Sequence, residues 1–453
     1  FIGIGGIGVS ALAQYYLAMG HSVSGSDLAR SEITDMLRKK GAKIFVGPHK
    51  ARNVAKDIQL VIYSPAVPAD NPELKEAKKR FRVSSFEFRP PAGEAGVLSY
   101  PEALGELSKK YFTIAVSGTH GKTTTTAMIA LMMVKAGLDP TVIIGAKLKE
   151  FGDSNFRFGR SKYLVIEADE WQASFLHYWP KIIVLTNIEK EHLDYYRDSR
   201  HITQTYLEYL SHLSATNGRI IANKDNQWVY RIARTAHNKY AVPISWYSMS
   251  QKQSQAVRKV IQIPGEHNIS NALAALTAIR YTQISPKIGL KALSQYRGAW
   301  RRFEIKPIVL NKRRLLLVSD YGHHPTEIAA TLQAARAKWP QKLIWVVFQP
   351  HQYQRTLLLF NDFKRVFQAI PADKVIITDI YDVAGRETKQ AKARISSEKL
   401  VKAINRPQKV IYVALNEILR ALKRVEIPAD SVLLVMGAGN IYSLSQKLST
   451  ILV

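Results

Sequence analysis

A chain of 453 residues with 46% hydrophobic and 22% charged side chains has room for roughly three domains of about 150 residues each, and its composition excludes intrinsic disorder. It contains no cysteine, which excludes a disulfide scaffold, a thiolate nucleophile and a Cys-based zinc site, and which suits a reducing cytosol. The 64 Lys and Arg outnumber the 36 Asp and Glu for a net charge of +28, which raises two readings, nucleic-acid binding or an enzyme for anionic nucleotides; the basic clusters, Arg301-Arg302 and 312–314, are short and interrupt apolar strands, and no nucleic-acid module is recognisable, so the excess reads as general surface composition with part of it serving phosphate binding.

Residues 1–4 read as the end of a buried strand, and the missing initiator Met predicts that this strand continues upstream. No basic segment precedes FIGIGGIGVSALAQYYLAMG, which argues against a signal peptide, and no apolar run in the chain reaches the roughly 18 residues of a membrane span. Gly3, Gly5, Gly6 and Gly8 form G-x-G-G-x-G, followed by a helix over 9–19 and a strand over 23–27 that ends in Asp27. A strand, a glycine turn, a helix and an acidic residue about twenty positions on are the pattern of a dinucleotide-binding fold. Ser64 lies in SPAVPADNPEL, a stretch with the composition of an ordinary turn. Residues 81–96 break the periodicity and carry Pro90, Pro91, Gly93 and Gly96, which predicts a surface insertion; a helical pattern resumes over 99–110.

The central part opens with YFTIAVSGTHGKTTTT: an apolar strand over 112–116, a turn bounded by Gly118 and Gly121, and a helix. A helix N-terminus presents unpaired N–H groups and the positive end of its dipole, which favours a phosphate. Lys122 adds a mobile charge for the outer phosphates and the Thr123 hydroxyl a ligand for Mg²⁺, so ATP or GTP is the natural guest. The general phosphate-loop pattern asks for a further glycine where this chain has Val116. Strands over 163–166 and 182–185 deliver Glu167-Ala168-Asp169-Glu170 and then Glu191-His192-Leu193-Asp194 at their carboxyl ends, where open α/β sheets bind ligands. Carboxylate and imidazole from two strand tips beside a phosphate loop suit a two-metal phosphoryl-transfer site.

Gly265-Glu266-His267-Asn268 and Asn271 open an alanine-rich helix that Asn268 is placed to cap. GAWRRFE, 298–304, looks like the crossing into the last third, where strands over 315–319, 343–348, 375–380 and 432–436 alternate with helices. His323-His324-Pro325 suggests zinc only superficially, because adjacent histidines point apart and no third and fourth ligands stand nearby.

The compact loop GTHGKTT, together with GIGGIG, EADE to EHLD, YGHHPTE and FQPH to RT in that order, resembles the Mur ligase family, and within it the branch that joins L-alanine to UDP-N-acetylmuramate. The resemblance covers essentially the whole chain. It implies an α/β fold of three domains: a Rossmann-like UDP-sugar domain over 1–107, a P-loop ATPase-like central domain over 108–297, and a Rossmann-like C-terminal domain over 298–453 that takes the substrate and amino acid. It places Gly5, Gly6 and Gly8 at the pyrophosphate of the sugar nucleotide, Asp27 and His49 at the uridine, and Ser64 on the next loop. ATP is expected on Gly118, Thr119, His120, Gly121, Lys122, Thr123 and Thr124, with Asn268 and Asn271 beside adenine and ribose and Asp320 at the nucleotide. Thr123, Glu167 and His192 fall on the family's Mg²⁺ ligands, Arg302 reaches the ATP phosphates, and Tyr321, His323, His351 and Arg355 face the muramyl substrate and amino acid.

Three departures stand out. Trp171-Gln172 replaces the Ser-Asp of many members; Gln352 replaces an arginine of several; and the region near Leu207 lacks the carbamoylated lysine of sister ligases, as the alanine-adding branch does. The expected enzyme is an ATP-dependent, cytoplasmic ligase of peptidoglycan precursor synthesis, acting through an acyl phosphate with Mg²⁺. The competing readings are a recycling ligase that adds a tripeptide to the same nucleotide, an NAD-linked oxidoreductase, and a basic nucleic-acid-binding ATPase. Oligomeric state is not legible.

Overall fold

The computed structural model describes residues 1–81, 96–189, 191, 195–383 and 387–450, so the candidate ligand His192 and most of the 81–96 segment lie outside the described residues. Contacts divide the chain into two compact units. The first comprises Phe1–Glu189, Asp198–Val260 and Ser270–Gln295, and the second Lys190–Arg197, Ile261–Ile269 and Tyr296–Val453.

The first unit holds two sheets. In the N-terminal one, the parallel pairs Ser24–Asp27 with Lys43–Val46 and Leu60–Tyr63 with Gly96–Ser99 flank the opening residues. Ile2 bridges to both Ser26 and Tyr63, and its N–H donates to the Ile62 carbonyl at 2.9 Å. The predicted opening strand is therefore the centre of a parallel sheet. The first helix, Ile7–Ala18, begins two residues earlier than its apolar pattern suggests because Gly8 is already inside it. A Cβ on Gly8 would lie 2.7 Å from a ring carbon of Tyr100, so only glycine lets that helix pack there. The helix Tyr100–Lys110 is held at its start by a reciprocal capping box between Ser99 and Glu102.

The central sheet runs in the order Ile244–Tyr247, Arg219–Asn223, Ile182–Leu185, Phe112–Ser117, Tyr163–Glu167, Thr141–Leu148, Ser154–Arg157. All its pairings are parallel except the last, an antiparallel edge that the sequence reading missed. The inner strands are buried almost throughout, as a sheet covered on both faces requires. A buried polar bridge ties the first helix to that edge strand. Gln14 Nε2 donates to Asn155 Oδ1 at 2.9 Å, Asn155 Nδ2 donates to Ser10 Oγ at 3.2 Å and to the Ile7 carbonyl, and Gln14 Oε1 accepts from Ser154 Oγ at 3.1 Å and from Lys40 Nζ at 2.7 Å.

The second unit contains a six-stranded sheet in the order Glu304–Leu310, Arg313–Asp320, Val432–Met436, Ile344–Phe348, Lys374–Ile377, Val410–Tyr412. Its first pair is an antiparallel hairpin and the rest are parallel. Asn311 and Lys312 turn the hairpin with φ of 52° and 61°, the left-handed pair that a two-residue turn matched to strand twist requires. The short basic cluster at 312–314 is thus a solvated hairpin tip. Apolar layers cover both faces, one around Phe348, Phe363 and Phe367 and the other around Leu315, Leu433 and Ile441. Among the described residues no helix is long and apolar enough to cross a membrane.

Candidate active site

Phe112–Ser117 ends one residue later than predicted. Val116 is wholly buried within the strand, and the loop proper is only Gly118 to Gly121 before the helix Lys122–Lys135 begins. Gly118 has φ +134°, and a Cβ there would lie 2.2 Å from Thr186 Oγ1 and 2.7 Å from the Asn187 carbonyl; at Gly121, φ +82°, it would lie 2.3 Å from Asn271 Oδ1. Both glycines are dictated by close approach as well as by backbone conformation.

Asn187 braces this loop. Its carbonyl accepts from Thr119 N–H at 2.9 Å, its Oδ1 accepts from His120 N–H at 2.8 Å, and its Nδ2 donates to the His120 carbonyl at 3.0 Å, which Thr186 Oγ1 also reaches at 2.6 Å. Thr119 Oγ1 accepts from Glu189 N–H at 2.9 Å. The loop is preformed by the tip of the neighbouring strand, and the helix it opens has no side-chain cap, so its first amides are available to an anion.

Lys122 Nζ donates to the Gly118 carbonyl at 2.6 Å and to the Glu170 carboxylate at 2.8 and 3.1 Å. Burial alone would lower the pKa of this ammonium; Glu170, then Asp169 and Glu167, outweigh it and hold the group charged well above its ordinary range. Thr123 Oγ1 donates to Glu167 Oε2 at 3.2 Å, and Glu167 Oε1 accepts from Gly145 N–H at 2.7 Å. Two oxygens bound side by side on an octahedral ion at about 2.1 Å sit about 3 Å apart, so Thr123 and Glu167 offer the hard-oxygen donors and the spacing that Mg²⁺ takes. The second predicted carboxylate tip is split: Glu189 lies beside the loop, while His192 is outside the described residues. Trp171–His177 starts a short helical stretch in which Gln172 and Ala173 adopt left-handed φ of 50° and 54°.

The first glycine turn is organised differently. Gly5 N–H donates to Asp27 Oδ2 at 2.8 Å, so this amide is held by the protein rather than left for a pyrophosphate. Gly6 N–H donates to the Gly3 carbonyl at 3.2 Å. Ser64 stands against this turn: a Cβ on Gly3 would be 3.0 Å from Ser64 Cβ, and Ser64 Oγ accepts from Ala66 N–H at 3.3 Å. His49 Nδ1 is 3.1 Å from Ser26 Oγ, on the residue before Asp27. Tyr100, whose ring covers Gly8, has its pKa pushed up by burial first and then by Glu167 and Asp169.

Asn271 packs against Gly121 of the loop. Asn268 does not cap its helix. The helix is Glu266–Ile279, and Asn268, inside its first turn, donates from Nδ2 to the Pro264 carbonyl at 2.6 Å.

In the second unit, Asp320 is buried and both its oxygens are engaged, Oδ2 by Phe303 N–H at 2.9 Å and Oδ1 by Gly322 N–H at 2.8 Å. It fixes two turns, and burial pushes its pKa up despite Arg302 nearby. Arg302 lies over the Tyr321 ring at 4.8 Å. Arg301, which the sequence left without a role, is buried and donates to the Gly437 and Gly439 carbonyls at 2.6 and 3.2 Å. His323 meets His351 edge to face at 5.5 Å, and His351 stacks on Tyr381. Burial, with Glu327 opposing and Arg355 assisting, lowers the His323 pKa to about 4 and keeps the ring neutral. Arg355 donates from Nε to Glu191 at 2.8 Å and through another nitrogen meets His351 Nδ1 at 3.0 Å, so its fork already holds one carboxylate. Gln352 takes φ +73° at the start of Tyr353–Leu358 and is buried, with its N–H on the Tyr381 carbonyl at 3.0 Å.

Asn187, Glu170, Gly145 and Tyr100 were not singled out by sequence reasoning. Glu170 was visible in EADE, but its partner Lys122 is 48 positions away.

Comparison with known proteins finds the Mur ligase family in three consecutive pieces: its catalytic domain over residues 1–84, its middle domain over 116–279 and its glutamate ligase domain over 301–439. The UDP-N-acetylmuramate–L-alanine ligase of Acetivibrio thermocellus is 41% identical, with 98% of this chain and 94% of that protein covered; that of Aquifex aeolicus is 38% identical, with 97% and 94% covered. Among solved structures, the UDP-N-acetylmuramate-alanine ligase of Thermotoga maritima matches with a TM-score of 0.77 at 26% identity, covering 99% of this chain and 97% of that one. A murein peptide ligase of Psychrobacter arcticus matches at 0.69 and 22% identity over 99% and 97% of the two chains, a likeness of fold alone.

Proposed function

Since the chain belongs to the Mur ligase family, we propose that it joins L-alanine to the lactyl carboxylate of UDP-N-acetylmuramate at the expense of ATP, as the relatives it matches along nearly their whole length are named for doing. The observation that carries the mechanism is the phosphate loop, braced by Asn187, with Lys122 and the Thr123–Glu167 pair at its helix start. The lactyl carboxylate attacks the terminal phosphate of ATP, giving an acyl phosphate and ADP; the alanine amine then attacks the acyl carbon and releases phosphate.

An anion must approach a polyanion in the first step, so fixed positive charge at the terminal phosphate lowers the barrier. Lys122 supplies it, and the incoming phosphates compete with Glu170 for the ammonium. Mg²⁺ held by Thr123 and Glu167 would neutralise further phosphate charge. His192, Arg302, Asn268 and Asp320 enter these roles on the family resemblance, as do Tyr321, His323, His351 and Arg355 for the substrate and amino acid. Gly118, Thr119, His120, Gly121 and Thr124 cradle the ATP phosphates, and Asn271 lies against that cradle. We assign 1–107 to the sugar nucleotide, 108–297 to ATP and 298–453 to substrate and amino acid. A cytoplasmic site of action follows from substrates that are ATP and a nucleotide-linked sugar.

The test is phosphate release with Mg-ATP and UDP-N-acetylmuramate, comparing L-alanine, L-serine, glycine and a tripeptide. Release with L-alanine at least tenfold above the others is the expected result; a preference for tripeptide assigns the chain to recycling instead. ATP turnover indifferent to the UDP-sugar would overturn the ligase reading.

A further inference from the structure

The mechanism above makes no use of Glu73, although it is a carboxylate only 2% exposed, in the first turn of the helix Pro72–Phe81. A buried carboxylate is retained only when donors surround it. Glu73 Oε1 accepts from Asn53 Nδ2 at 2.6 Å and from Lys50 N–H at 3.3 Å, Oε2 accepts from the Ser26 hydroxyl, and Oε2 lies 3.4 Å from His49 Nδ1. Every one of these partners except Ser26 belongs to the loop carrying His49, so the carboxylate shapes that loop from beneath.

The donors and acceptors fix the histidine proton. The Ser26 hydroxyl gives its only hydrogen to Glu73, so toward His49 Nδ1, at 3.1 Å, it presents a lone pair. The other neighbour of Nδ1 is the carboxylate itself, which can only accept. Nδ1 must therefore carry the proton, and in the neutral ring Nε2 is a bare acceptor. Nε2 has no partner among the described residues, and 11% of the His49 side chain is exposed. Asp27 follows Ser26 directly and grips the glycine turn through Gly5 N–H at 2.8 Å, so His49 and that turn are set by adjacent residues of one strand.

We propose that Glu73 is a positioning residue for base selection: through Ser26 it holds His49 as the Nδ1–H tautomer, so that Nε2 accepts a hydrogen bond from the ring N–H of uracil. Cytosine has a lone pair at that ring nitrogen and is repelled. The inference rests on the ligase reading for a uridine nucleotide and on the family resemblance for its place at His49, but the tautomer follows from the hydrogen bonds alone.

Glu73→Gln keeps the volume and inverts the logic. Its oxygen stays with the Lys50 and Asn53 donors, its amide donates to Ser26, the freed hydroxyl hydrogen turns to Nδ1, and the proton of His49 moves to Nε2. Two measurements on the full chain test this. The first is the ¹⁵N shift pattern of His49, assigned by its loss in His49→Gln: Nδ1–H is expected in the native protein and Nε2–H in Glu73→Gln, and an Nε2–H signal in the native protein overturns the proposal. The second is calorimetric binding of UDP and CDP. The native preference for UDP is expected to fall about tenfold in Glu73→Gln, one hydrogen bond's worth, with ATP affinity and melting temperature held. In a His49→Gln background, Glu73→Gln should change the UDP/CDP ratio no further. Equal losses for UDP, CDP and ATP, or the same loss with His49 absent, would mean that Glu73 only supports the fold and would overturn the proposal. A native protein that binds neither UDP nor the UDP-sugar sinks the ligase reading instead, while the ¹⁵N measurement still decides the tautomer.

Discussion

The two glycine turns of the first unit are built alike and used differently. Each joins a buried parallel strand to a helix, and each is gripped by a residue at the tip of an adjacent strand. In the first turn that residue is a carboxylate, Asp27, which occupies the Gly5 amide at 2.8 Å. In the second it is a neutral amide, Asn187, which binds the His120 backbone through both its N–H and its carbonyl, and Lys122 stands at the helix start on the Glu170 carboxylate. An acidic grip partly cancels the positive end of the helix dipole, while a neutral grip leaves it in place, and the charge of Lys122 is balanced by Glu170 until an anion displaces that carboxylate. Two different glycine patterns, G-x-G-G-x-G and G-x-x-G, therefore yield turns that differ in their pull on phosphate.

The largest test of this contrast is Lys122→Ala, expected to lower turnover about a thousandfold with the circular dichroism spectrum unchanged; near-normal ligation would remove the distinction between the turns. Next is Gly118→Ala, where the left-handed backbone and the 2.2 Å approach to Thr186 Oγ1 predict a loss of roughly 1–3 kcal/mol in chemical denaturation. Gly5→Ala meets side-chain atoms, Asp27 Oδ2 at 2.8 Å and Thr34 Cγ2 at 3.2 Å, with no left-handed backbone to strain, and should cost less in the same assay. Asn187→Ala should raise the KM for ATP about tenfold, the value of losing its brace, while leaving the KM for UDP-N-acetylmuramate in place. The mildest is Asp27→Asn, which keeps an acceptor for Gly5 and removes the charge; a change of only a few-fold, confined to the UDP-sugar KM, is expected. A matching rise in the ATP KM would show that the turns are not independent.

Much of this was legible in the chain. The strand, loop and helix around GTHGKTT, and the order of five separated motifs, were readable because they depend on local periodicity and on residue types that sit close in sequence. Val116 departs from the general phosphate-loop pattern because the strand runs past it to Ser117 and leaves a shorter loop. What escaped reading depends on distant partners: Asn187 reaches His120 across 67 positions, and Glu73 reaches Ser26 across 47. Asp27 and Asp320 carry ligand roles on the family resemblance, and the structure shows each also accepting backbone N–H groups of a turn. A carboxylate at a strand tip carries the same sequence signal in either role.

The buried bridge of Gln14, Asn155, Ser10 and Ser154 has a mechanical consequence. Hydrogen bonds sealed from water cannot be exchanged for solvent as the joint flexes, so bending the N-terminal sheet away from the edge strand Ser154–Arg157 would strand several polar atoms at once. The joint is a weld rather than a hinge, and the two sheets should lose their amide protection together as a single cooperative block.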